Sequence, residues 1–135
     1  MKKISLILFA ILVLTGCSSL RNVSRDVMGV STDTLESGKA DSIYQVYPCE
    51  IGACFDAVIE IARDNNYYIF MKDGVRGLVV LMNIPECVDT TEVGVFLTEL
   101  PGPQGVRVEL SSRSSPAKKA VAKVLFSEMN DRFKK

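Results

Sequence analysis

An α+β fold with the element order β-α-β-β-β-β-α is predicted by three observations on the chain from residue 43 onward. Apolar residues recur at helical spacing in two stretches, 51–64 and 115–133. Five other stretches are rich in β-branched and aromatic residues and are bounded by turn formers. The glycine-containing turns DGVRG at 73–77 and PGPQG at 101–105 join four of these strands into two hairpins. The expected architecture is a mainly antiparallel sheet with two helices packed on one face.

The first strand is IYQVYP at 43–48, which alternates in polarity and is stopped by Pro48. From Ile51 the period changes: Ile51, Cys54, Phe55, Val58 and Ala62 lie on one helical face, with Ile59 and Ile61 beside them. Asp56, Glu60, Arg63 and Asp64 take the wet side, and Asn65 and Asn66 end the helix. YYIFMK at 67–72 and LVVLMN at 78–83 form the first hairpin. EVGVFLTEL at 92–100 and VRVELSS at 106–112 form the second, with Val106, Val108 and Leu110 alternating against Arg107, Glu109 and Ser111. Ser115 reads as the N-cap of the last helix and Pro116 as its first residue. Ala117, Val121, Val124, Leu125, Met129 and Phe133 make its apolar stripe, while Lys118, Lys119, Lys123, Glu128 and Arg132 are expected to face out.

The 135 residues hold one domain after an N-terminal segment is set aside, and 16 basic groups balance 16 acidic ones. Removal of residues 1–16 takes Lys2 and Lys3 and leaves 14 basic against 16 acidic groups, so a nucleic-acid partner is not expected. The chain has no histidine, which excludes a Ser-His-Asp triad, imidazole acid–base catalysis and imidazole metal ligation.

MKK followed by the uncharged run from Ile4 to Gly16 has the form of a secretory signal peptide and is too short to span a bilayer of about 30 Å. LTGC at 14–17 resembles the lipobox of bacterial lipoproteins. That resemblance implies cleavage before Cys17, diacylglyceryl attachment to its thiol and acylation of the new amino terminus. It also implies anchorage to a membrane through lipid on Cys17, since each buried methylene contributes roughly 0.8 kcal/mol. Ser18 in place of Asp implies, by the sorting pattern of that family, the periplasmic side of the outer membrane in a host with two membranes. The expected organisation is a signal peptide at 1–16, a lipidated and flexible tether at 17–42 and one α+β domain at 43–135. Leu20, Val23, Val27 and Val30 permit a short amphipathic helix within the tether. The element order is similar to that of small α+β domains of envelope lipoproteins, including helix-grip modules. The phrase FDAVIEIARDNNYYI with its following glycine turn also resembles small bacterial lipoproteins of unassigned function.

Three cysteines remain besides Cys17. Cys49 with Cys87 is the expected disulfide, because both lie in loops beside prolines whereas Cys54 is on an apolar helix face. Cys49 with Cys54 is the alternative pairing, and all three reduced is the third case. A catalytic thiol at Cys54 would lack an imidazole base, and zinc would need a fourth ligand such as Glu50 or Glu86. Glu86, Asp89 and Glu92 cluster without the glycine-punctuated spacing of a calcium loop, so no metal and no cofactor is expected.

Tyr68 and Phe70 are expected to point away from the helices, and with Val79 and Leu81 to form an exposed contact surface on the sheet. The expected role is a noncatalytic binding or assembly module for another envelope protein. The alternative is a carrier of a small apolar ligand, held between the sheet and the last helix near Val121, Leu125 and Met129. Replacing the acceptor, Cys17→Ala, is expected to abolish metabolic lipid labelling and to leave an uncleaved precursor, read as a slower band on a gel of membrane fractions.

Overall fold

The structure, a computed structural model, describes residues 32–134. The signal peptide, Cys17 and the stripe at residues 20–30 lie outside the described residues. The elements are α1 (Thr32–Ser37), a 3-10 turn (Gly38–Asp41), β1 (Ile43–Tyr47), α2 (Ile51–Asp64), β2 (Tyr68–Asp73), β3 (Leu78–Met82), β4 (Val93–Glu99), a second 3-10 turn (Gly102–Gln104), β5 (Val106–Ser111) and α3 (Ser115–Phe133). The five strands form one sheet in the order β1-β5-β4-β3-β2, with every neighbouring pair antiparallel.

Strands β2 to β5 are a meander, and β1 is added beside β5 in an unbroken register from Ile43↔Leu110 to Tyr47↔Val106. β1 and β2 therefore run in the same direction at opposite edges, and α2 is the crossover between them. α3 returns in the opposite sense, and the Arg132–Glu60 ion pair and the Asn65–Glu128 hydrogen bond join the two helices. Val79, Leu81, Val93, Val95, Leu97, Val106, Val108 and Leu110 fill the sheet face beneath the helices. They pack against Cys54, Val58, Ile61 and Ala62 of α2 and Val121, Leu125 and Met129 of α3, which form one continuous core. Tyr47 is fully buried between the ends of β1 and α3, 6.5 Å from the ring of Phe126 and 6.3 Å from that of Phe133.

The segment expected to be the end of a tether is structured, because residues 32–41 lie against the other face of the sheet. Leu35 occupies the space that Gly94 leaves: a Cβ on Gly94 would stand 3.2 Å from Leu35 Cδ1. The Ser111 hydroxyl donates to the Leu35 carbonyl at 2.6 Å, and Lys39 Nζ sits 4.0 Å above the centre of the Phe96 ring. Lys118, expected in solvent, is buried instead: its ammonium reaches from α3 to the Asp41 carbonyl and, at 3.0 Å, to Asp41 Oδ2. The Ser42 hydroxyl donates to Glu109 Oε1, which Arg107 also contacts at 3.1 Å. Lone polar groups would be costly at the depth of Glu109, Ser111 and Lys118, and residues 35–42 supply a partner to each.

The N-cap of α3 is Ser114 rather than Ser115; its hydroxyl accepts from the Ala117 N–H at 3.3 Å. Pro116 then occupies the second helical position, where its missing N–H costs nothing. At the opposite end of the sheet, Gly105 has φ +87°, and a Cβ there would meet the Tyr47 carbonyl oxygen at 2.1 Å. Gly102 has φ +68° but open space around it. Gly105→Ala is accordingly expected to cost about 3 kcal/mol or more, and Gly102→Ala about 1–2 kcal/mol, read from urea denaturation midpoints.

Candidate functional site

The ends of the strands decide which cysteines meet. Tyr47 pairs with Val106, and Val106 with Glu99, so Pro48, Cys49 and the start of α2 lie at the end of the sheet where β4 finishes. Leu81 pairs with Val93, so the β3–β4 loop that carries Cys87 lies where β4 begins. β4 separates these ends by about 20 Å at roughly 3.3 Å per residue, far beyond the Cα separation of about 7 Å that a disulfide tolerates. The expected Cys49–Cys87 bridge is thus replaced by Cys49–Cys54, with Cα atoms 6.1 Å apart, and Cys87 is a free, half-buried thiol. Closing so short a loop contributes about 2 kcal/mol in the chain-entropy model.

The proposed aromatic surface is rearranged by a β-bulge. Between β2 and β3 the register shifts around Phe70, so Tyr68 pairs with Met82, Ile69 with Leu81, and Met71 with Val80. The extra residue places Leu81 on the helix side with Ile69, and Val79 shares that side with Lys72. Val79 and Leu81 are 0% and 1% exposed and belong to the core, so they are not part of any contact surface. Tyr68 remains outward at 55% exposure, and Phe70 and Met71 are half-buried beside it.

These residues lie on an edge strand next to the end of α2. Asn65 closes that helix, its amide donating to the Ile61 carbonyl at 2.9 Å, and Asn66 turns the chain at φ +59°. Tyr67 is thereby turned inward; its burial, with Glu128 nearby as the lesser cause, raises its phenol above the usual range. The next five residues and Arg63 surround a shallow depression of about 420 Å³. Arg63 and Lys72 line it and form no ion pair among the described residues. Its lining combines aromatic and apolar side chains, Tyr67 among them, with these two cations and no acid.

The other candidate groups do not converge. Among the described residues no three His, Cys, Asp or Glu side chains are gathered as a metal ion requires. Glu86 and Asp89 are exposed, and partial burial alone raises the carboxyl of Glu92 above its ordinary range. Val121, Leu125 and Met129, expected beside a ligand cavity, are at most 1% exposed and interlock with the sheet. Among the described residues no helix is long and apolar enough to cross a membrane. No protein-family model matches the chain, and no curated protein matches it either.

Alkylation of the unreduced folded protein is expected to label Cys87 alone of these three thiols, with proteolytic mapping recovering Cys49 and Cys54 in one linked peptide. Recovery of Cys87 linked to Cys49 would contradict the strand order.

Proposed function

We propose that the chain is a lipid-anchored envelope lipoprotein whose α+β domain is a noncatalytic binding or assembly module for another envelope protein. The observation that carries this reading is the outward Tyr68 on an edge strand, flanked by the half-buried Phe70 and Met71 and by Arg63 and Lys72, which form no ion pair among the described residues. Aromatic side chains, Met and Arg are the residues enriched in protein interfaces, and a lysine such as Lys72 belongs to the charged rim around them. The lipobox-like LTGC supports the membrane address, and the complete lack of histidine supports a role without imidazole chemistry.

The experiment is site-specific photo-crosslinking in intact cells from Tyr68, with the buried Val95 as the control position. A single envelope protein captured from Tyr68 and lost in the Arg63→Glu, Lys72→Glu double variant is the expected result. Equal capture from both positions, or none from Tyr68 in folded and lipidated protein, would refute the proposed surface.

A further inference from the structure

The sheet has two edges, and they are protected unequally. β2 carries the bulge at Phe70 and the charged residues Lys72 and Asp73, devices that discourage the addition of another strand. β1, with the sequence IYQVY, has no charge, no proline and no register shift. Its alternate N–H and C=O groups point away from β5, toward a side where no further strand stands among the described residues. Tyr44 on this strand is 54% exposed.

A groove of about 490 Å³ runs between β1 and α3, on the helix side of that edge. Ile43 and Gln45 contribute its strand wall, alternate residues that share the helix-facing side. Lys119, Lys123, Phe126 and Asn130 contribute its helix wall at helical spacing. Its lining contains two cations and no acid, and neither lysine has an ion-pair partner among the described residues. The Asn130 Oδ1 atom is buried with no hydrogen-bond donor, an acceptor that is costly to leave unused. On the strand wall, Gln45 Oε1 accepts from the Tyr47 hydroxyl at 3.1 Å and from Lys134 Nζ at 3.0 Å, which fixes that side chain in place.

We infer that this groove takes an extended acidic segment of another protein, which pairs with β1 as a sixth strand and places carboxylates on Lys119 and Lys123. The spacing fits that occupant. The two lysines are one helical turn apart, about 6 Å along the axis, and alternate residues of a strand are about 6.7 Å apart on one face. Carboxylates at positions i and i+2 of the segment thus face both ammonium groups while its backbone satisfies the edge. Recognition through main-chain pairing in a groove between a strand and a helix selects for extended conformation first and for side-chain pattern second. This surface is separate from the Tyr68 depression, at the opposite edge of the sheet, so either can fail without the other.

The test uses the full mature lipoprotein in detergent micelles and two labelled peptides, one alternating valine with glutamate and one alternating valine with glutamine. Fluorescence anisotropy at low salt is expected to show the glutamate peptide binding at least about fivefold more tightly. Lys119→Gln with Lys123→Gln is expected to remove that preference; both side chains are exposed, and an unchanged melting temperature will show that the fold is kept. Nuclear magnetic resonance is expected to place the largest amide shifts on residues 43–47. Equal affinity for the two peptides, no binding of either, or shifts confined to β2 would overturn the assignment. Concentration-dependent dimerisation that shifts the same β1 amides without peptide would overturn it in favour of a second copy of this chain.

Discussion

The pairing of β1 with β5 is the constraint on which the rest of the domain depends. It joins the first strand to the last, from Ile43↔Leu110 to Tyr47↔Val106, and so requires the chain to cross the sheet once before the meander begins. α2 makes that crossing, and its apolar face with Cys54, Val58, Ile61 and Ala62 becomes half of the core lid. α3 then has one available place, beside α2 and over β1 and β5, where Tyr47 is enclosed by Phe126 and Phe133. A long-range pair of this kind is slow to form, because loop closure precedes any gain from the contact. Once formed, it determines both sheet edges and sorts every loop to one end or the other.

The second face of the sheet is held by a different kind of interaction. Its β5 and β1 portion is polar, with Glu109 receiving both Ser42 and Arg107, and with Arg107 lying 3.9 Å from the Tyr44 ring. Lys118 comes from α3 and ends on Asp41, so the layer of helices and the turn before β1 are fastened across the edge of the sheet. The Asp41 carboxylate is 95% exposed while the ammonium is 3% exposed, which makes the backbone carbonyl of Asp41 the more important partner. Apolar packing of Leu35 over Gly94 completes the attachment. The residues that lead into β1 are thereby part of the folded unit.

The two edges divide the possible contacts of the domain by their chemistry. β2 is twisted by its bulge and presents side chains outward, Tyr68 above all. β1 is straight and offers backbone groups, with two lysines set back on α3. Ile43 and Gln45 of β1 line the groove against α3. The two surfaces lie at opposite edges of the sheet and do not overlap.

Most of the element order was legible in the sequence, because periodicity and turn chemistry are local: the helices at 51–64 and 115–133 and both hairpins coincide with their glycine turns and apolar stripes. Face assignment across the first hairpin was not, because a single extra residue at Phe70 reverses the sides of Tyr68 and Ile69 relative to Val79 and Leu81. Nor was the disulfide, since loops beside prolines look alike in sequence and only the strand order shows that Cys49 and Cys87 lie at opposite ends of β4. Lys118 looked like a surface residue, and its burial depends on the Asp41 carbonyl, 77 residues away in the chain. Short-range pattern by itself determined which residues become strand or helix, for those preferences act within a turn or two of the backbone. Which side chains are exposed, which cysteines bond and which edge stays bare were decided by tertiary structure, because each depends on partners brought together by the β1–β5 closure.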